Sequence, residues 1–181
     1  MNTEKTTASG WVLSLVRFGN KLERLAYLIG CVAICVFFMS VFLNVLFREF
    51  FTPLMWAEEV SRFGYVWAIF LGAGVAMRHA RHFTIDIVVN LLGAAMRRWL
   101  DLFKILVIMV FAGVLFLYSV EFAQMSIQRT SFPSGIPFIW ATASIPVGAV
   151  FLIYFMVEQL ALFVSGLSLD EAHQMLKEAA S

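Results

Sequence analysis

An apolar run at residues 25–47 constrains the fold of this chain most strongly, and Asn44 is its only strongly polar residue. At about 1.5 Å per residue, a helix over this run would reach about 34 Å, which is enough to cross a hydrocarbon core of roughly 30 Å with some tilt. The run is also well beyond the roughly 7–15 apolar residues of a cleavable signal peptide. We therefore expect it to remain in the protein as a membrane-spanning helix.

The composition agrees with a membrane protein, since 61% of the residues are hydrophobic, 14% are charged, and the mean hydropathy is +0.86. Soluble domains have about 45–50% apolar and about 25% charged residues. Three further apolar segments lie at residues 56–77, 102–122 and 138–164. The sequence thus predicts an all-α membrane protein with four transmembrane helices in residues 25–164, between an N-terminal tail, 1–24, and a C-terminal tail, 165–181. Pro146 is expected to kink the fourth helix.

Two segments have the pattern of helices lying in the membrane interface. Residues 11–24 place apolar residues at helical spacing with basic residues between them, which fits an interfacial helix or a simple basic flank of the first span. Residues 85–99 carry an apolar face, with polar residues elsewhere on the helix. We expect an amphipathic cytoplasmic helix there, between the second and third spans.

Lysine and arginine are distributed unevenly along the chain. Ten of the 13 lie in the N-terminal tail, between the second and third spans or at the edge of the third, and in the C-terminal tail. The positive-inside rule then places both termini and the middle loop in the cytoplasm. The net charge of +1 gives no indication of nucleic-acid binding, and we expect no nucleic-acid partner.

A charged group opens the second span. Glu58 and Glu59 lie four and three residues before Arg62, so either carboxylate can reach the guanidinium on a helix. Ionisable residues at membrane depth are candidates for ion or proton transport. Trp56 beside them indicates headgroup depth, which favours a structural ion pair over a transport site.

Ala68, Gly72 and Ala76 form a stripe of small residues along the second span, and Gly64 extends it by one turn. Such a stripe lets another helix approach closely. The sequence leaves open whether that helix belongs to this chain or to another subunit.

Few residues indicate a metal, a cofactor or catalysis. His79, His82 and Asp86 have a spacing that could bind a metal, but neighbouring arginines oppose cation binding, so we expect none. Cys31 and Cys35 lie in an apolar run and are interpreted as small hydrophobes. The sequence contains no nucleotide-binding, hydrolase or zincin motif, and we expect neither an enzyme nor a bound cofactor.

Two motifs resemble the small membrane subunit of tripartite ATP-independent periplasmic (TRAP) transporters, the DctQ-like family. The first reads W-A-E-E-V-S-R from Trp56, W-A-I-F-L-G-A-G-V-A-M-R from Trp67, and H-F-T-I-D from His82. The second, P-S-G-I-P-x-x-W-x-x-x-S-I-P-V-G, begins at Pro133 and enters the fourth span. The similarity covers roughly residues 22–163.

The resemblance implies a scaffold subunit in a bacterial inner membrane, with both termini cytoplasmic. It implies two protein partners, a large membrane subunit carrying the substrate and Na⁺ sites and a periplasmic substrate-binding protein, and as substrate an organic acid such as a C4-dicarboxylate or sialic acid. The motif positions are carried over as structural and interface positions only: Glu58, Glu59, Arg62, Gly72, His82 and Asp86. The alternatives are a membrane anchor of a redox complex and a small independent ion channel.

Overall fold

The computed structural model describes residues 3–79, 94–132 and 134–178, and these residues form a bundle of long helices. In chain order the helices are α1 Thr3–Phe50, α2 Met55–His79, α3 Ala94–Met125, α4 Ile139–Thr142, α5 Ser144–Ser165 and α6 Leu169–Glu178.

Four stretches of the described chain are long and apolar enough to cross a membrane: Gly10–Phe50, Met55–His79, Arg98–Met125 and Ile139–Ser165. The prediction of an all-α protein with four transmembrane helices is therefore confirmed. The first stretch has 41 residues, about 60 Å of helix, which is roughly twice the thickness of a hydrocarbon core. Residues 11–24 belong to this same continuous helix instead of forming a separate one.

The four spans alternate in direction, and α5 lies at the centre of their packing. α1 packs mainly on α2, while α2 and α3 both pack on α5. In the most apolar 18-residue stretch of each span, 44% of the residues are buried in the fourth span but only 11% in the first and in the third. The two outer helices therefore present most of their apolar side chains to the surroundings of the chain.

Two glycines allow these helices to approach closely. A Cβ atom on Gly64 would lie 2.7 Å from the backbone carbonyl oxygen of Ala33, and one on Gly148 would lie 2.7 Å from the Cβ of Phe70. Neither position has space for a larger side chain without a shift of the neighbouring helix. Close packing at small residues of this kind is one of the interactions that hold helices together in lipid.

The fourth span is interrupted near its start. α4 ends at Thr142 and α5 begins at Ser144, with Ala143 between them. Pro146 follows closely and has no N–H to donate to the carbonyl oxygen four residues earlier. The indole Nε1 of Trp67 donates a hydrogen bond of 2.8 Å to the carbonyl oxygen of Trp140, which ties α4 to α2.

α6 folds back onto the start of α1. Gly166, with φ +69°, ends α5 in the left-handed conformation that suits glycine. Ala172 is then buried in a small core with Val12, Val16 and Leu162. We call this end of the bundle, where the start of α1 meets the ends of α2 and α5, the Arg78 end.

The amphipathic helix predicted over residues 85–99 falls largely outside the described residues. Its last positions, from Ala94, form the beginning of α3. The guanidinium of Arg98 lies 5.5 Å from the centre of the Phe163 ring, which places the start of α3 at the Arg78 end as well.

Candidate functional site

The charged group at the start of α2 is divided between two environments. Arg62 Nη2 lies 3.6 Å from Glu58 Oε1, and the two side chains are 53% and 74% exposed. Glu59 points inward and is only 3% exposed. The surface pair is of the helical i,i+4 type that contributes little to stability, so the buried carboxylate is the structurally important member of the group.

Glu59 holds the loop between α3 and α4. Its Oε2 accepts a hydrogen bond of 3.2 Å from the backbone N–H of Ser134. The loop is closed on itself by a backbone hydrogen bond from Ser131 N to the carbonyl oxygen of Ile136, at 2.8 Å. Gly135 adopts φ +73° in this turn. The carboxylate thus joins the start of the second span to the connection between the third and fourth.

The small-residue stripe lies on an open face of α2. Gly72 and Ala76 are exposed and Ala68 is half-buried, and a Cβ on Gly72 would meet no atom within 4 Å. These three residues line an apolar groove between α1 and α2. The described chain therefore places no helix against the stripe, whereas Gly64, one turn earlier, is in close contact with α1.

The potential metal-binding group is only partly within the described residues, since His82 and Asp86 lie outside them. His79 is described, and its Nε2 lies 2.6 Å from Glu23 Oε1. Within residues 3–79, 94–132 and 134–178, no group of three or more histidine, cysteine or acidic side chains is arranged to hold a metal ion.

A buried arginine forms the most extensive polar cluster of the described chain. Arg78, at the end of α2, is 1% exposed, and its Nη2 donates a hydrogen bond of 2.6 Å to Oε1 of the equally buried Glu158 on α5. Nη2 also donates to Asn20 Oδ1 at 2.8 Å, and Nη1 donates to Glu23 Oε2. The guanidinium stands over the ring of Phe155, with 5.3 Å to its centroid. One cation thereby joins α1, α2 and α5.

Neighbouring side chains extend this cluster. Gln159 Nε2 donates to the backbone carbonyl oxygens of Met77 and Arg78, at 2.8 and 3.2 Å. The last carbonyl groups of a helix lack partners within it, so this amide stabilises the end of α2. His173 Nε2 lies 3.0 Å from Asn20 Oδ1 and connects α6 to the same network.

Gly19 provides the space that the cluster needs. A Cβ at this position would lie 2.5 Å from Glu158 Oε2 and 2.8 Å from Arg78 Nη2. Both contacts are shorter than non-bonded atoms tolerate. The side chains of Arg78 and Glu158 can therefore meet only because α1 has a glycine at this point.

The chemistry of the cluster is that of a fixed ion network. The two carboxylates and the arginine face one another, and His79 pairs with the outer carboxylate of Glu23. Arginine suits such a position because its planar guanidinium binds several acceptors at once and stays charged. Breaking a buried pair leaves an uncompensated charge, so the network fixes the relative positions of three helices.

Sequence reasoning missed this cluster, although one signal was present. Glu158 is an acidic residue inside an apolar segment that was predicted to span the membrane, and such a residue marks a functional or structural site by default. Its partner Arg78 is 80 positions away in the sequence, and Glu23, the second carboxylate bound by Arg78, is 135 positions from Glu158. Their pairing depends on helix packing, which no local pattern indicates.

Two titratable groups on α6 have shifted pKa values. Hydrogen bonds from the backbone N–H and the hydroxyl of Ser168 lower the pKa of Glu171, and Glu171 N in turn donates to Ser168 Oγ at 3.2 Å, as in a capping box. Burial, and then the charge of Arg78, lower the pKa of His173. The docked helix therefore favours an ionised Glu171 and a neutral His173.

Comparison with known proteins finds similarity to TRAP transporter components in each case. Residues 37–166 match the family described as tripartite ATP-independent periplasmic transporters, DctQ component. The chain is 30% identical over 148 residues to the sialic acid TRAP transporter permease protein SiaT of Haemophilus influenzae, a match that covers 79% of this chain and 23% of that protein. It is 26% identical over 108 residues to the sialic acid TRAP transporter small permease protein SiaQ of Vibrio cholerae, which covers 60% of this chain and 62% of that protein. The chain thus spans less than two thirds of either relative.

Proposed function

This chain belongs to the DctQ family of tripartite ATP-independent periplasmic transporters, and from this we propose that it is the small scaffold subunit that supports a large membrane subunit in solute uptake. The family consists of transport components, which confirms that the chain is not an enzyme. The four apolar helices and the family together give a multi-pass protein of the inner membrane.

The observation that supports the proposal most strongly is that the buried charged side chains bind other parts of the chain itself. In the part of the chain that the structure describes, the buried ionisable side chains are Glu59, Arg78 and Glu158. Glu59 binds a loop, and the other two bind each other. A transport site must bind and release its ion repeatedly, whereas these groups connect structural elements.

The outer surface supports an interaction role. Large apolar side chains along α3 are more than 60% exposed: Phe103, Val110, Leu117 and Tyr118. α1 has a similar face, and together they provide broad surfaces for contact with lipid or with another membrane subunit. A membrane protein with rigid internal ion pairs and wide apolar faces suits the static part of a larger assembly.

The orientation, partners and substrate belong to the same proposal. We propose that both termini face the cytoplasm, the orientation that the positive-inside rule predicts from the lysine and arginine distribution; the Arg78 end is then cytoplasmic and the Glu59 end periplasmic. The large subunit carries the Na⁺ and substrate sites, and a periplasmic binding protein delivers an organic acid. The names of the two relatives favour a sialic acid over a C4-dicarboxylate.

Co-purification tests the proposal. The tagged chain is expressed together with the large TRAP subunit of the organism that it comes from, extracted in mild detergent and isolated through its tag. We expect the large subunit to elute in a stable complex, and vesicles with both subunits and the binding protein to accumulate the acid. Isolation of the tagged chain alone, together with full uptake by vesicles that lack it, would show that it is not the supporting subunit.

A further inference from the structure

A cleft of about 820 Å³ opens at the Arg78 end between α1, the end of α2 and α6. Its wall combines polar and apolar side chains. The lining residues are Asn20, Glu23, Arg24, Tyr27, Leu28, Cys31, His79, His173, Leu176 and Lys177. A second cavity, the apolar groove of about 330 Å³ along the small-residue stripe, shares Tyr27 and Cys31 with this cleft. The two cavities therefore meet on one face of α1.

The lining of the cleft carries a net positive charge, since it has two cations, Arg24 and Lys177, and one carboxylate, Glu23. The carboxylate of Glu23 is occupied by Arg78 on one oxygen and by His79 on the other. Arg24 and Lys177 are exposed, and no ion pair joins either of them to another described residue. They leave two cations available to a ligand at the mouth of the cleft.

The groove has the length and the apolar lining that a lipid acyl chain would need. On α1 it extends from Ala26 to Ile34, and on the antiparallel α2 from Ala76 to Ala68, which is about 12 Å along each helix. The α2 side is lined by Ala68, Gly72, Val75 and Ala76, so this wall of the groove is apolar and has no polar side chain. The groove leads from the charged cleft toward the interior of the membrane-spanning region.

We propose that the cleft and the groove together form a binding site for one phospholipid with an anionic headgroup. Arg24 and Lys177 bind the phosphate, Tyr27 and Cys31 lie at the level of the glycerol, and one acyl chain occupies the groove. Basic residues beside a membrane attract anionic lipids electrostatically, and the adjoining apolar groove adds a requirement for an acyl chain. The site lies within this chain and does not depend on its role as a transporter subunit.

Lipid binding to the purified chain tests the assignment. Phosphatidylglycerol or phosphatidylcholine is added to the detergent-solubilised chain, and the retained lipid is counted by native mass spectrometry. We expect one phosphatidylglycerol to be retained in preference to phosphatidylcholine. The double substitution Arg24→Gln/Lys177→Gln should lower its affinity on the order of tenfold. The matched control, Arg17→Gln/Lys21→Gln, removes two exposed cations of α1 that do not line the cleft, and should bind as the wild type does.

The groove is tested separately with Gly72→Leu, which should expel the acyl chain. The control is Gly113→Leu on α3, since both glycines have open space at the Cβ position. Cys31 provides an independent probe, because it lies where the two cavities meet, whereas Cys35 lines neither. Bound phosphatidylglycerol should slow alkylation of Cys31 by N-ethylmaleimide and leave Cys35 unaffected, and soluble glycerol phosphate should protect neither.

Three results would overturn the proposal. Equal retention of the lipid by wild type and Arg24→Gln/Lys177→Gln would show that these two residues do not bind the headgroup. Equal retention by Gly72→Leu would show that the groove does not bind the acyl chain. In the complex with the large subunit, crosslinking of Cys31 to that subunit with no bound lipid would show that a protein helix occupies the groove. Protection of Cys31 by the lipid in that complex would support the assignment.

Discussion

The Nη2 atom of Arg78 lies 2.6 Å from Oε1 of Glu158, and both side chains are 1% exposed. Arg78 faces two carboxylates, so replacing it leaves more unbalanced charge than replacing either partner. We predict that Arg78→Gln destabilises the folded chain by about 3–5 kcal/mol, and that Glu158→Gln costs less because the pair of Arg78 with Glu23 remains. Thermal unfolding in detergent, followed by tryptophan fluorescence, measures both variants.

Two controls accompany this comparison. Glu58→Gln removes the carboxylate of an exposed pair and should leave the melting temperature close to that of wild type. The double variant Arg78→Gln/Glu158→Gln should be more stable than Arg78→Gln alone, because Glu23 still pairs with His79. If the double variant is less stable than both single variants, orphaned charge is not the source of the loss.

Gly19 gives a second prediction about the same cluster. Gly19→Ala places a methyl group 2.5 Å from Glu158 Oε2, so the ion network must shift, at a cost of roughly 1–3 kcal/mol. Gly10→Ala makes the same change on the same helix where nothing lies within 4 Å. Because alanine has a higher helix propensity than glycine, Gly10→Ala should leave the stability of the folded chain unchanged or raise it by up to about 1 kcal/mol. Equal melting temperatures for the two variants would contradict the close contact at Gly19.

The sequence predicts this fold well because the pattern that identifies each span lies within one short stretch of the chain. Apolar runs, lysine and arginine placement and the i,i+4 spacing of Glu58 and Arg62 all depend on neighbours in the chain. The cluster of Arg78 and Glu158 depends on which helix faces which, and this is decided by packing. The small-residue stripe shows the same limit, since its spacing marks a smooth face but does not specify what lies against it. The close contact occurs at Gly64, while Gly72 faces an open groove.

That difference between the two glycines leads to a third prediction. In Gly64→Ala the new methyl group would lie 2.7 Å from the carbonyl oxygen of Ala33, so α1 and α2 must separate and stability should fall. Gly72→Ala adds the same methyl group to the same helix in open space and should leave the stability of the isolated chain unchanged. The yield of monodisperse protein on size-exclusion chromatography compares the two. A loss confined to Gly72→Ala would mean that the stripe is packed within the chain.

The fourth prediction concerns pH and α6. Burial and the charge of Arg78 hold the pKa of His173 below its ordinary value of 6.5, so the docked helix prefers the neutral imidazole. Its contribution to docking is fully present above that ordinary value and is lost as the pH falls through the lowered pKa. Hydrogen exchange of the α6 amides, corrected for the intrinsic rate, should therefore accelerate between neutral pH and about pH 5.

His173→Gln is the control for this titration, since the amide can donate to Asn20 Oδ1 but does not titrate. Its exchange should not change over the same interval. Glu171 contributes in the same direction at lower pH, because its pKa is held below 4.5 and its cap is lost only as the pH falls through that lowered value. An acceleration near pH 6 that persists in His173→Gln would assign the effect to another group.

The rate of uptake per assembled complex is the most direct test of whether this chain acts as a scaffold and does not itself carry a transport site. Glu59→Gln and Glu158→Gln each keep a hydrogen-bonding side chain but remove a buried charge, and each is reconstituted with the large subunit and the binding protein. Complexes that assemble should transport at the wild-type rate per complex and with the same dependence on Na⁺, since these carboxylates position helices and a loop. Intact complexes of both variants with abolished uptake, or with an altered Na⁺ dependence, would place the transport chemistry in this chain and contradict the account.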